Sequence, residues 1–278
     1  MPSVRIFVFT LLAMIAFAGN ALLCRLALAQ TSIDAASFTT IRLISGAVAL
    51  WAILRIRRSS QAGTGTWRSA LALFGYAASF SFAYTTLSTA TGALLLFGAV
   101  QATMIGYGIW TGERLRMLQL AGLLLALAGL IGLLFPGVSA PPLLGSTLML
   151  SAGVAWGVYS LRGRGAGDPT RVTGDNFLRA VPMALGLSLV WHDHISLDAW
   201  GAWYAVLSGA LASGIGYAIW YTALPSLRAT SAATVQLSVP VLAAVGGVVL
   251  LGEPMTLRLI LASVAILGGI ALVVTYRK

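Results

Sequence analysis

The chain has 278 residues, of which 59% are hydrophobic and only 9% charged, with a formal net charge of +10. Soluble domains carry roughly 25% charged residues; with a mean hydropathy of +0.92, this composition excludes a water-soluble globule, which would have almost no polar shell. The single cysteine, Cys24, excludes an internal disulfide and a cysteine-based zinc cluster.

No charged residue occurs from Ser69 to Gly112 or from Met117 to Leu161. Each run is about twice the ~20 residues that carry a helix across a ~30 Å hydrocarbon core. In chain order, the first apolar stretch, residues 6–29, holds Asn20, Cys24 and Arg25. Ala27-Leu28-Ala29 resembles a signal-peptide cleavage site, but the apolar core exceeds the usual roughly 7–15 residues and Arg25 would sit beside the cut. It is read as a retained span. The second span, residues 35–54, contains Arg42 and ends in Arg55-Ile56-Arg57-Arg58. Spans three (67–86) and four (91–110) are separated by a short turn, and the fifth covers 117–134. Residues 135–142, FPGVSAPP, hold three prolines that stop the helix. Spans six (143–161), seven (172–190, with Arg179), eight (200–224), nine (230–251) and ten (257–275) repeat the plan.

The repeat is visible in the residues. Thr111–Leu134 reappears 140 positions on as Leu251–Val274, with Gly112/Gly252, Glu113/Glu253, Leu127/Leu267 and Gly129/Gly269 identical. Arg179 is Arg42 plus 137, and Tyr84-Thr85-Thr86-Leu87 resembles Tyr221-Thr222-Ala223-Leu224 at the same offset. Two halves follow, 1–136 and 137–278. Five crossings return the chain on the opposite side, so the second half enters upside down, related to the first by a pseudo-two-fold axis in the membrane plane. With the N-terminus inside, thirteen of the seventeen basic residues fall on inner loops and ends, as the positive-inside rule asks. Both termini are then cytoplasmic, and the basic balance needs no nucleic-acid partner. The expected fold is an all-α integral membrane protein of ten transmembrane helices, a five-plus-five inverted repeat around a central cavity.

Ten spans, the five-plus-five repeat, the turns GERL (112–115) and GEPM (252–255), an arginine in the second span of each half, and Pro240 together resemble the EamA-type branch of the drug/metabolite transporter superfamily. Val100 departs from the pattern, standing where that family often has proline. The resemblance covers almost the whole chain. It implies a bacterial inner-membrane exporter of amino acids or other metabolites, most similar to the aromatic amino-acid exporters. It also implies a cavity enclosed mainly by spans one, three, four, six, eight and nine.

Intramembrane polar groups are expensive and therefore few. Tyr76, Phe80 and Tyr84 recur at steps of four on one face of span three; Tyr217, Trp220 and Tyr221 form a similar stripe on span eight. Spans four and nine offer Gln101 and Gln236, span one Asn20, and span six Trp156 and Tyr159. These eleven residues are the candidate substrate-binding set. The competing readings are packing for the aromatics and helix-to-helix hydrogen bonds for the amides. Trp67, Trp110, Trp191 and Trp200, at span ends, suit an interfacial belt. Arg42 and Arg179 either snorkel to the headgroups or serve carbonyls or an anionic substrate group. Glu113 and Glu253 read as caps of helices five and ten. His192-Asp193-His194 lacks a further ligand and is a weak metal motif. No cofactor or metal is expected. The spans hold no apposed nucleophile, base or metal set of the kind an intramembrane enzyme requires. The seven carboxylates all lie in loops, turns or helix ends, which predicts transport without a buried proton-coupling acid. Export of other metabolites or drugs is the alternative within the same superfamily.

Overall fold

The computed structural model describes all residues except 1, 58–62, 113, 115, 138–139, 164–166, 224–225, 227–234 and 276–278. Glu113, the basic residues Arg58, Arg164, Arg228, Arg277 and Lys278, and the expected start of span nine therefore lie outside the described residues. The described chain is all helix, with no strand. We number the helices α1 (Pro2–Gln30), α2 (Ala35–Arg57), α3 (Trp67–Tyr84), α4 (Thr89–Trp110), α5 (Met117–Leu134), α6 (Leu143–Arg162) and α7 (Pro169–Val190). They are followed by α8 (Ala199–Ala223), α9 (Ser238–Leu251) and α10 (Leu257–Thr275). A single 3₁₀ turn, His192–His194, joins α7 to α8.

Local chemistry explains where these helices begin. Thr66 and Ser88 accept the N–H groups of Ser69 and Thr91, and so cap α3 and α4. Asp168 caps α7, with Pro169 at the first helical position, where its missing N–H costs nothing. Asp198 caps α8 through the Gly201 N–H at 2.9 Å. Pro240 falls in the first turn of α9 and breaks no helical hydrogen bond.

Seven of the described helices are long and apolar enough to cross a membrane by themselves, namely α1, α2, α4, α5, α6, α8 and α10. Helices α3 and α7 fall short because their polar groups serve protein rather than lipid. Ser69 and Ser81 on α3, and Thr170, Thr173 and Asn176 on α7, are all buried. The chain is a multi-pass membrane protein whose outer surface is apolar; Leu124, Ile131, Leu261 and Val264 are among its exposed side chains.

Packing is pairwise. Helix α5 lies along α10, α2 along α7 and α8, α3 along α6 and α7, α4 along α6 and α9, and α1 along α8 and α9. Small residues permit the closest approaches. A Cβ on Gly122 would come within 2.6 Å of the Gly269 carbonyl oxygen. One on Gly209 would collide with the Arg42 carbonyl oxygen, so α8 and α2 touch backbone to backbone. At this contact α8 is widened: Leu207–Ile215 is a π-helix, in which the Gly216 N–H reaches back five residues to Leu211. Such insertions recur at functional sites.

The connections gather at two ends. At one, Ser32 and Asp34 of the α1–α2 turn bond Asp198 and Ser196 before α8, and Arg258 at the start of α10 donates to the Phe135 carbonyl after α5. At the other, Gly65 and Thr66 before α3 donate to Asp175 and Asn176 of α7 at 2.7 and 2.9 Å.

Candidate functional site

Six helices enclose a cavity in the middle of the bundle, lined by Phe17, Asn20 and Ala21 of α1, Tyr76 and Phe80 of α3, and Ala93, Leu96 and Phe97 of α4. Trp156 of α6, Ala212, Ser213 and Tyr217 of α8, and Gln236 and Val239 at the start of α9 complete the wall. It offers about 40 Å³ to the centres of water-sized molecules, room for a few waters and too little for an aromatic molecule without movement of the walls.

One wall is aromatic. Trp156 stacks on Tyr217 with centroids 5.2 Å apart and planes 19° from parallel, and it also meets Tyr76 at 4.8 Å. Phe17 packs on Tyr217 at 5.6 Å. Another π-face brought to this cluster gains from stacking beyond its area, typically about 0.5–1.5 kcal/mol per ring pair.

Next to it runs a buried polar chain from α8 to α2, joined to the aromatic wall at Tyr76. Ser208 Oγ donates to Asn20 Oδ1 at 2.6 Å, Asn20 Nδ2 donates to Tyr76 Oη at 3.3 Å, and Arg42 Nη2 donates to the same Tyr76 oxygen at 3.0 Å. Arg42 is 1% exposed. Its guanidinium lies 5.2 Å from the Tyr76 ring centroid and 5.0 Å from that of Phe80. Neither Nε nor Nη1 makes a hydrogen bond, and among the described residues no carboxylate lies within ion-pair distance. Burying a charge costs several kcal/mol even after relaxation; two desolvated cation–π contacts, at about 2 kcal/mol each, offset only part of that. Arg42 therefore does not snorkel. It is a retained, uncompensated positive charge one residue behind the cavity wall.

Of the eleven sequence-derived candidates, Asn20, Tyr76, Phe80, Trp156, Tyr217 and Gln236 line the cavity. The other five stand elsewhere. Tyr84 is fully buried and donates to the Thr89 carbonyl at 3.3 Å, closing the α3–α4 turn. Tyr159 accepts from Asn176 Nδ2 at 3.4 Å, Trp220 packs on Phe17 and Tyr221 on Tyr217. Gln101 is buried on α4 outside the wall. Cys24, one turn beyond Asn20, is fully buried and does not line the cavity. Reading the sequence missed Ser213, although the offset of 137 that pairs Phe80 with Tyr217 carries Tyr76 onto Ser213. It also missed Phe17, which no stripe or polar atom signals.

The other charges settle into helix ends. Gly252, at φ +64°, ends α9 in the left-handed conformation, which swings Glu253 away from α10 and onto α4. Both carboxylate oxygens accept the Thr89 N–H, at 3.0 and 2.8 Å. The helix that Glu253 caps is thus α4, not α10 as the sequence suggested. Arg25 Nε bonds Glu253 at 3.2 Å, while its Nη1 takes the Tyr84 carbonyl at 2.9 Å. The anion meets a helix N-terminus and the cation a C-terminus, each matching the local dipole. Arg179 is ion-paired with Asp175 one turn earlier on α7.

Comparison with known proteins agrees with this architecture. The chain is 58% identical over 278 residues to Uncharacterized protein PA1977 of Pseudomonas aeruginosa, covering 100% of this chain and 97% of that one. It is 24% identical over 252 residues to Uncharacterized transporter YoaV of Bacillus subtilis, covering 84% and 85%. A protein crystal structure with 20% identity superposes at a TM-score of 0.69 over 96% of either chain, so the fold is one already observed. The sequence profile of the EamA-like transporter family matches residues 143–275. With that profile over its second half and a relative named as a transporter, the chain belongs to the EamA-type branch of the drug/metabolite transporter superfamily.

Proposed function

We propose that the protein carries small hydrophobic metabolites, foremost aromatic and other neutral amino acids, outward across the bacterial inner membrane by alternating access. The observation that carries this reading is the cavity. Stacked rings of Trp156, Tyr217 and Phe17 form one part of its wall and the hydrogen-bonded Asn20 and Tyr76 another, and no carboxylate is among the described residues that line it. A flat apolar side chain suits the first wall, and the polar end of an amino acid suits the second. A cationic drug would find no counter-ion there. The same composition argues against an intramembrane enzyme, since no nucleophile–base pair faces the cavity.

Ten crossings in two inverted halves, 1–136 and 137–278, provide the moving parts. The helix packing supports this: shifting every helix by five turns α3–α6 into α8–α1, α4–α6 into α9–α1 and α2–α8 into α7–α3, all of which are present. The helices α2–α7, α5–α10 and α4–α9 pair with their own counterparts. Rocking of one half against the other would alternately open the two ends around a fixed site. With both termini cytoplasmic, the Arg25–Glu253 clasp closes the outer end. Labelled phenylalanine or tryptophan entering protein-containing liposomes faster than empty ones is the expected result. No flux of any amino acid would remove the substrate assignment while leaving the family and fold intact.

A further inference from the structure

Tyr76 Oη is the pivot of the polar wall. It accepts from Arg42 Nη2 and from Asn20 Nδ2. The orientation of Asn20 is fixed by its other end, because 2.6 Å to Ser208 Oγ is the length of an O–H···O bond and short for N–H···O. A phenol oxygen has two acceptor positions and one proton. With both acceptor positions taken, the Tyr76 proton is left to donate, and Tyr76 lines the cavity.

The same cavity is lined by Ser213, 2% exposed, whose hydroxyl makes no hydrogen bond. Thr10, Thr89 and Ser146 are likewise without a partner, but none of them lines the cavity. Ser81, Thr103, Ser151, Ser160 and Thr222 all donate to the carbonyl four residues back. Ser213 lies in the π-helical stretch of α8, where the backbone register is altered, and it too lines the cavity. Two hydroxyl donors in the wall of one cavity, with an uncompensated guanidinium behind one of them, describe a receptor for a negatively charged oxygen.

We infer that Tyr76, Ser213 and Arg42 form a carboxylate subsite, which binds the carboxylate of the transported molecule while its ring rests on Trp156 and Tyr217. This rests on the proposed function and extends it: the carboxylate becomes the obligatory feature of the substrate and the ammonium a secondary one. Tyr76 and Ser213 touch the ligand. Arg42 is a positioning residue, which holds the Tyr76 oxygen, sharpens its proton as a donor and supplies the balancing charge. In a site of low dielectric, an anion that reaches these donors is held far more firmly than a neutral analogue of the same shape.

The test is competition for binding of labelled phenylalanine to the purified protein in detergent. The competitors are phenylalanine, 3-phenylpropionate (carboxylate without amine), phenylalaninamide and phenethylamine (amine without carboxylate). The two carboxylates are expected to compete, and the two amines to be weaker by about tenfold or more, as for loss of hydrogen bonds to a charged group. Tyr76→Phe and Ser213→Ala should each weaken phenylalanine but not phenylalaninamide, so that the ratio between them collapses. A merely structural role would leave that ratio unchanged. Arg42→Gln should collapse it likewise, and the two milder variants decide the matter if that protein does not fold. Phenylalaninamide competing as well as phenylalanine would overturn the subsite and leave amino-acid transport standing. Absence of any phenylalanine binding would overturn the proposed function itself, and the subsite as a substrate site with it.

Discussion

Arg42 and Arg179 stand 137 residues apart, at matching places of the two proposed halves, yet their surroundings are opposite. Arg179 is about a quarter exposed and ion-paired with Asp175 Oδ2, the oxygen that also accepts the Gly65 N–H. Arg42 is fully buried, unpaired, and bonded only to the Tyr76 hydroxyl. The difference begins with one residue: the place of Asp175 is taken in the first half by Phe38. A repeat preserves the residue, but its neighbours decide whether the charge is neutralised within the protein. In the second half it is spent on the fold. In the first half it remains available.

The sharpest way to break that comparison is to remove each charge. Arg42→Met should reduce phenylalanine transport more than tenfold without lowering the melting temperature, because replacing an uncompensated buried charge by an apolar chain is neutral or stabilising by about 1–4 kcal/mol. Arg179→Met should do the reverse, leaving transport within about twofold and lowering stability by up to about 1 kcal/mol, since the pair is partly exposed. Flux assays and thermal melts in detergent read both. Equal effects of the two variants would mean that their environments do not matter.

A second contrast concerns α8 and α3. Gly209 sits against the Arg42 carbonyl, while its counterpart 137 residues earlier is Ala72. Gly209→Ala should therefore cost about 1–3 kcal/mol through forced separation of α2 and α8, and shift Arg42 relative to Tyr76. The same alanine is native at position 72. An unfolding transition matching that of the parent would show that the α2–α8 contact yields easily.

The pair Arg25–Glu253 sharpens the comparison from another side, being a charge pair used at helix ends. Glu253→Gln keeps the size and loses the charge. A loss of about 1–3 kcal/mol is expected, as for a partly buried group bonded to N–H donors and a guanidinium. The outer end should then become more accessible to thiol reagents aimed at Cys24, which is fully buried in this conformation.

The smallest effect is expected at Asp198. Its carboxyl is held below the ordinary carboxylate range, first by the Gly201 N–H and further by Thr31 and Ser32. A depressed folded-state pKa stabilises above the unfolded value and is lost as pH falls through the folded one. The clip between the α1–α2 turn and α8 should therefore loosen only in strong acid, and Asp198→Asn should abolish that dependence. Hydrogen exchange of the Ser32 and Gly201 amides against pH would show it; an unchanged acid profile in the variant would rule the clip out.

Much of this was legible in the residues. Most helix bounds fall within three residues of the expected spans and α5 coincides with its own, but α1 begins at Pro2 rather than 6 and α9 at Ser238 rather than 230. Six of the eleven candidates reach the cavity because apolar spans leave few polar or aromatic groups to choose from. The rest were not legible for physical reasons. Tyr84 and Tyr221 share a stripe with true wall residues, but a helix rotates about 100° per residue, so a stripe of three turns leaves the wall at its end. Ser213 looks like any helical serine in the sequence, where nothing marks that its hydroxyl is left without a partner in the cavity wall. Glu253 caps a helix 164 positions away, a pairing that only the tertiary fold creates.

The central claim is that a carrier without a buried acid moves amino acids down their own gradient. The sequence puts the carboxylates in loops, turns or near helix ends. In the fold Asp175 stands inside α7 but is ion-paired with Arg179. No carboxylate is among the described residues that line the cavity, so the wall offers none to bind a proton in exchange for substrate. The decisive measurement is labelled phenylalanine flux into proteoliposomes, with and without an imposed pH gradient. The account predicts entry that stops at equal concentrations inside and out, and is the same in both conditions. Accumulation above that level driven by the proton gradient alone would contradict it.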